Sequence, residues 1–376
     1  MLFNDLGLIS GAKLANNPET QATDCIYLFA ICINLRGKND RFLHFIQKYV
    51  YLCNSLYNYN MVYNEIGKTG MLVSNLSLGA SSLGGVFHGI REEEGIRAVH
   101  VAVDNGINFI DVSPYYGHLK AETVLGKALK EIPRDKYFLS TKVGRYGKDG
   151  VNTWDYSAKR ATESVYESME RLNVDYIDLI NVHDIEFQAG MEGGLQKICD
   201  ETLPALVELK RKGVVGHVGI TDLQPENLKW VIEHCEEGTV ESILNFCHYS
   251  LNDTLLADYL GFFEQQGVGV INASPLSMGL LSQRGAPLWH PASRDLKNAC
   301  AKAAAYCQEK GYPIEKLAIQ FSTSLNPRIA TTLFSSANPE NVLKNINYVN
   351  EPLDEQLVSE VQAIIGDQMF VRWKNS

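Results

Sequence analysis

Eight short apolar runs recur between residues 73 and 336, and each is followed by residues whose apolar positions fall at helical spacing. The runs are VSNLSLG (73–79), NFIDV (108–112), YFLSTKV (137–143), DYIDLINVHD (175–184), VVGHVGIT (214–221), SILNFC (242–247), GVGVINAS (267–274) and IATTLFSS (329–336). Their length and their Val, Ile and Leu content fit buried strands. The stretches between them, such as AETVLGKALKEI and SAKRATESVYESMERL, fit amphipathic helices. A strand–helix–strand succession implies parallel pairing. Eight such units predict a closed (β/α)8 TIM barrel of the α/β class. The competing fold is an open doubly wound sheet, which would call for GxGxxG after a strand. SLGASSLGG (77–85) has its glycines at the wrong spacing and no helix directly behind it.

Residues 1–60 lack this rhythm, so an N-terminal extension (1–60) and a barrel domain (61–376) are expected, with Met61 just ahead of the organised sequence. The apolar run CIYLFAICIN (25–34) is too short to span a bilayer, and its flank is long and poor in positive charge for a signal peptide. GKT (67–69) suggests a phosphate loop, but the glycine that motif needs five positions earlier is Val62. Net charge is −10, and no basic run carries interleaved aromatics, so neither nucleic acid nor a membrane is an expected partner. Eight scattered cysteines form no CxxC pair, which points to reduced thiols and a cytoplasmic setting.

In a barrel of this kind, chemistry sits at the C-terminal ends of the strands. Those ends carry Asp111, then Tyr115 and Tyr116; Lys142; His183 and Asp184; Thr221 and Asp222; Asn245 and His248; Ser274; Ser335 and Ser336. Each has a structural explanation when taken singly. Lysine and aspartate nevertheless rarely end apolar strands unless paired or functional. A phenol titrates near 10, too high for a base at neutral pH. A lysine ammonium beside it favours phenolate, and a carboxylate can hold that lysine. A histidine can orient a substrate oxygen. Together they form a proton relay between alcohol and carbonyl. The hydride has no side chain to accept it, so a cofactor is implied.

FIDVSPYYG, LSTKVG, LINVHD and HVGIT resemble, in order, the signatures of the aldo-keto reductase family. That resemblance spans about residues 66 to 350 and implies a (β/α)8 fold, an extended nicotinamide cofactor and an Asp-Tyr-Lys-His tetrad. By motif the tetrad is Asp111, Tyr116, Lys142 and His183, and Tyr115 then lines the pocket. HDIEF, CHYSLND, ASPLSMGLL and WHPAS resemble the aldose-dehydrogenase branch of the family, of the plant L-galactose dehydrogenase type. Members of that branch oxidise an aldose at C1 to a lactone with NAD. Substrate contacts are thereby implied for Tyr115, His88, Phe187, His248 and Trp289, with a sugar or other small carbonyl compound as the partner.

The resemblance also implies cofactor contacts from Thr221, Asp222 and Asn245, from Ser274, Pro275, Leu276, Met278 and Gly279, and from Ser335, Ser336, Ala337, Asn341 and Asn345. NADP-preferring members place basic residues where this chain has Ser335 and Asn341, so NAD is expected over NADP. Two departures stand out. Thr221-Asp222 puts a carboxylate where the family carries an amide, and the usual glutamine near the end of the sixth strand is not evident, leaving Asn245 or a neighbour. Three other readings remain open: a regulatory or slow relative resembling channel-associated β subunits, a carbonyl or aldehyde reductase, and a metal-dependent barrel hydrolase using HDIE. The last lacks a second histidine cluster, and Lys142 is a poor neighbour for a cation, so no metal is expected.

Overall fold

The computed structural model describes residues 61–374, apart from 149 and 325. Eight parallel strands close into a barrel in sequence order: β1 (Leu76–Gly79), β2 (Phe109–Asp111), β3 (Phe138–Val143), β4 (Ile177–Val182), β5 (Val215–Asp222), β6 (Ser242–Phe246), β7 (Gly269–Ala273) and β8 (Ile329–Ser335), with β8 hydrogen-bonded back to β1. Strand residues alternate between two environments, as a period of two requires. Ile110, Leu139, Ile180, Val218, Ile220 and Ile243 pack outward with the surrounding helices. Phe109, Leu179, Leu244, Ile271 and Leu333 face the barrel axis.

The helices start where the sequence supplies caps. Ser157 accepts the Arg160 N–H at the start of Ala158–Leu172, and Ser293 accepts the Leu296 N–H at the start of Arg294–Glu309. Asn338 caps Pro339–Val349, with Pro339 in the first turn. Cys300 and Cys307 are buried in the same core cluster, on one face of Arg294–Glu309, and all five described cysteines are free.

The run over 73–79 is two elements rather than one strand. Leu72–Ser74 pairs antiparallel with Tyr63–Glu65, and β1 begins only after Asn75. This hairpin closes the N-terminal end of the barrel. Its Ile66, Met71 and Val73 pack against the inward-facing strand residues, and Ile66 is fully buried. Burial of such a side chain contributes about 1.5–3 kcal/mol. GKT forms the hairpin turn: Gly67 has φ +55, and the Thr69 hydroxyl donates to the Ile66 carbonyl at 2.7 Å.

Three further elements depart from a plain repeat of units. A second hairpin, Arg145–Lys148 with Val151–Trp154, follows β3. Helix Ile314–Ser324 sits between Arg294–Glu309 and β8, and Glu355–Ile365 follows the last barrel helix. Residues 1–60, including the run at 25–34 and the extension expected there, lie outside the described residues. Among the described residues, no helix is long and apolar enough to cross a membrane.

Candidate active site

The alternation that turns Phe109 and Leu179 inward carries on to the C-terminal ends of the strands. Asp111 lies two residues past Phe109, Lys142 two past Ser140, and His183 four past Leu179. All three therefore face the axis, above the apolar floor. The Lys142 ammonium donates to Asp111 Oδ2 at 2.5 Å and to the Val112 carbonyl at 2.7 Å. Ser140 donates to the other Asp111 oxygen at 2.8 Å. Lys142 Nζ lies 4.9 Å from the centre of the Tyr116 ring, and that ring meets His183 edge-on at 5.6 Å between centroids. The side chains of Asp111, Lys142 and His183 are all nearly inaccessible to solvent.

Burial pushes the Asp111 carboxyl upward against the pull of Lys142. Burial also pushes Lys142 downward, but the Asp111 charge and the Tyr116 phenol outweigh it and hold the ammonium firmly protonated. For Tyr116 the balance differs from the expected one. Lys142 does favour the phenolate, yet burial is the larger effect, and the phenol is pushed up to about 12. A full desolvation penalty on the phenolate exceeds the attraction of a lysine already shared with Asp111.

His183 is driven down to about 3 by burial, with Lys142 and Arg145 adding to that shift and Asp184 opposing it. Its Nδ1 lies 3.0 Å from the Ser113 hydroxyl. Asp184 is held below the ordinary carboxylate range. Burial works the other way, but His183 and the Arg145 guanidinium outweigh it. Arg145 donates to Asp184 Oδ2 at 2.5 Å and to the Tyr115 hydroxyl at 2.9 Å. The guanidinium also lies over the rings of Tyr115, at 3.8 Å, and Phe187, at 4.5 Å. The two adjacent tyrosines are thus distinguished: Tyr115 is bound to Arg145, and Tyr116 stands beside Lys142. Arg145 and Ser113 carried no mark of their own in the sequence; the hairpin after β3 is what folds Arg145 back over the site.

The residues implied for substrate are not all in one place. Tyr115 and Phe187 flank Arg145, and Phe187 also packs on Trp154. Trp289, half exposed, meets Phe87 at 5.9 Å, which joins the loop after β7 to the loop after β1, where His88 is exposed. His248 is buried, with Nδ1 2.9 Å from Asp253, and its Nε2 has no partner.

The residues implied for the cofactor divide in the same way. Thr221 exchanges hydrogen bonds with Asp184, accepting its N–H at 2.9 Å and donating to its carboxylate at 3.2 Å. Asp222 accepts from the Gln224 N–H at 2.6 Å and from Asn227 at 3.0 Å, at the start of the helix Pro225–His234. Burial and the neighbouring Glu186 push its carboxyl well up. Asn245 donates to the Asp222 and Leu223 carbonyls, which leaves its own buried carbonyl oxygen unpartnered. Ser274, Met278 and Gly279 all have positive φ in the loop after β7, where Pro275 lies and Leu276 packs against the cluster of Leu280 and Leu281. Ser335 accepts the Ser82 N–H at 2.9 Å. Ser336 accepts the Asn338 N–H at 3.2 Å, beside buried Ala337. Asn341 is exposed in the first turn of Pro339–Val349, and Asn345 is half-buried one turn on.

This donor set fits a nicotinamide dinucleotide. Hydroxyls and first-turn N–H groups suit a pyrophosphate. Among the described residues, no group of three or more His, Cys, Asp or Glu side chains could hold a metal.

The Aldo/keto reductase family model matches residues 75–366. The chain is 43% identical over 314 residues to L-galactose dehydrogenase of Arabidopsis thaliana, covering 82% of this chain and 95% of the relative. It is 36% identical over 239 residues to D-arabinose 1-dehydrogenase of Saccharomyces cerevisiae, covering 60% and 68%. A solved aldo-keto reductase from Bacillus halodurans, in its holo form, superposes with a TM-score of 0.65 at 28% identity, covering 81% of this chain and 96% of that one. With eight parallel strands, an inward-facing Asp-Lys-His group and a family match over most of its length, the chain belongs to the aldo/keto reductase family and is an oxidoreductase.

Proposed function

We propose that the chain is an NAD-dependent aldose 1-dehydrogenase that oxidises an L-galactose-like aldose at C1 to the lactone. The observation that carries this reading is the buried pair of Lys142 and Asp111 at 2.5 Å, with the Tyr116 ring beside it and His183 against that ring. The names of the relatives support the substrate class: one is an L-galactose dehydrogenase and another a D-arabinose 1-dehydrogenase.

The bound nicotinamide would supply the hydride acceptor and a positive charge. The chain supplies the rest. Tyr116, as the phenolate that Lys142 stabilises, takes the proton of the anomeric hydroxyl and becomes the neutral phenol. Asp111 holds Lys142 in place. His183, neutral at working pH, donates to the sugar oxygen and fixes which hydrogen faces the acceptor. A phenol near 12 makes the protonated form dominant at neutral pH, so oxidation should accelerate as pH rises. The apparent value belongs to the Tyr116–Lys142 pair.

Ser274 to Gly279 and Ser335 to Asn341 contain no Lys or Arg, and the second stretch contains Glu340. A 2′-phosphate would meet hydroxyls, amides and a carboxylate there, which supports NAD over NADP.

The test is steady-state turnover with a panel of aldoses and both cofactors, with a chelator control, on the wild type and Asn341→Arg. An aldose should be oxidised with NAD favoured in kcat/KM, unaffected by chelator. The variant should narrow the NAD preference by a charge-assisted contact worth about 1.5–3 kcal/mol. Turnover confined to aldehyde reduction, or a wild-type preference for NADP, would sink the reading.

A further inference from the structure

Asp184 sits in a backbone conformation that L-residues avoid, at φ +45. The surroundings hold it there from every side. Its N–H donates to the Thr221 hydroxyl at 2.9 Å, and its carbonyl accepts the Tyr156 hydroxyl at 2.8 Å. The same Tyr156 hydroxyl lies 2.7 Å from the His183 carbonyl. One carboxylate oxygen accepts from Thr221 at 3.2 Å, and the other accepts from Arg145 at 2.5 Å. That second oxygen stands 3.7 Å from His183 Nε2. This is too long for a hydrogen bond but close enough for the charge to be felt across a buried gap.

Arg145 is placed with equal care. Gly144, at φ +99, turns the chain at the end of β3, and a Cβ there would meet the Tyr156 ring at 2.5 Å or less. The turn brings the guanidinium over Tyr115 and Phe187, 8% exposed, with its charge against Asp184.

We propose that Arg145 is a positioning residue that acts on His183 through Asp184. The guanidinium keeps the Asp184 carboxylate ionised and fixed, and the carboxylate keeps the imidazole proton on Nε2, the ring edge left for the substrate oxygen. At the other edge, Ser113 accepts the Tyr115 N–H at 3.1 Å and is free to donate its own proton to Nδ1 at 3.0 Å. The opposite tautomer would aim the Nε2 lone pair at a carboxylate 3.7 Å away.

The charged and titratable groups that face the imidazole are Asp184, Lys142, Arg145, Tyr115 and Tyr116. Without Arg145, the Asp184 charge is left uncompensated in a buried site; the carboxylate still draws a proton toward His183, and the guanidinium that opposes this is gone. An imidazolium donates from both nitrogens and loses the distinction between its two edges. Burial is the main reason that His183 stays neutral, and the charges of Lys142 and Arg145 add to it against the pull of Asp184.

The inference rests on the reading of His183 as donor to the substrate oxygen, but its test needs no turnover. Histidine-labelled full-length protein is followed by long-range proton–nitrogen spectra from pH 5 to 8, with His183→Gln identifying the signal among nine histidines. Wild-type His183 should be neutral with Nε2 protonated throughout. In Arg145→Met it should become imidazolium by pH 6, and Arg145→Lys should restore the neutral form. In Asp184→Asn it should stay neutral while Nε2–H and Nδ1–H forms mix. The proposal is overturned by an Nδ1–H tautomer in the wild type, by an unchanged His183 in folded Arg145→Met, or by an unmixed tautomer in Asp184→Asn. Should Arg145→Met fail to fold, the wild-type and Asp184→Asn spectra decide. If those spectra hold while no aldose is turned over, the positioning device stands and the substrate reading falls.

Discussion

Tyr115 and Tyr116 are neighbours in sequence with the same side chain, yet their surroundings give them different chemistry. Tyr115 shares its hydroxyl with Arg145, whereas Tyr116 lies against Lys142 with its phenol pushed up to about 12. Tyr116→Phe should cut kcat by about 10²-fold or more, the scale of a lost general acid or base, while nucleotide affinity stays within about twofold. Tyr115→Phe should be the milder lesion. Stopped-flow turnover and fluorescence titration of both variants decide it; the reverse order moves the role to Tyr115. His183 makes a second expectation. In the folded chain it is lowered to about 3, against 6.5 when free. Below about pH 6.5 the unfolded chain binds a proton that the native one refuses, so stability is full above that pH and falls as pH drops toward 3. Thermal midpoints between pH 7 and 5 should fall less steeply for His183→Gln than for the wild type. Parallel declines would mean that other groups carry the acid sensitivity.

The hairpin Tyr63–Glu65 with Leu72–Ser74 shows how an element can hide inside a correct overall pattern. VSNLSLG carries apolar residues on both sides of Asn75, at Val73, Leu76 and Leu78, so the break between hairpin and barrel strand is invisible to a count of apolar residues. It comes from tertiary pairing: the Asn75 N–H donates to the Val62 carbonyl, and the Asn75 carbonyl accepts from Thr332. The hairpin after β3 is hidden for another reason. RYGKDGVNTW has little apolar content because this hairpin sits above the barrel rather than inside it. Helices such as Ala158–Leu172 and Pro339–Val349 were legible because caps and periodicity agree there. At the turn of the first hairpin, Gly67 has φ +55, and a Cβ would come within 2.5 Å of the Gly269 backbone nitrogen. Neither backbone can retreat without opening the barrel floor. Gly67→Ala should therefore cost about 2 kcal/mol or more by urea unfolding, with kcat/KM of the surviving folded protein unchanged at low temperature, because the tetrad lies at the opposite end. Unaltered stability would mean that the floor is looser than this packing implies.

Across the whole molecule, the sequence located chemistry better than it located the supports for that chemistry. Asp111, Lys142 and His183 are polar residues at the ends of apolar strands, a contrast that a single sequence displays. Arg145, Ser113 and Tyr156 act through contacts across separate loops, and nothing in their local sequence distinguishes them from surface residues. The same contrast bears on where the folding unit begins. The hairpin that closes the barrel starts at Tyr63, the last barrel helix ends at Val349, and Glu355–Ile365 packs in the cluster of Leu251 and Cys300. Every residue of the proposed tetrad and every hydrogen bond that supports it lies between those limits. A chain that begins at Met61 is therefore expected to fold by itself and to turn over at a rate within about twofold of the full chain. The hydrophobic closure it needs is already present in Ile66, Met71 and Val73, three buried side chains worth about 1.5–3 kcal/mol each. Far-UV circular dichroism through a urea titration, paired with steady-state kinetics, checks it: one cooperative transition and retained kcat/KM are expected. A broad, uncooperative transition in the shortened chain would place part of the folding unit before Met61 and move the domain boundary toward the N-terminus.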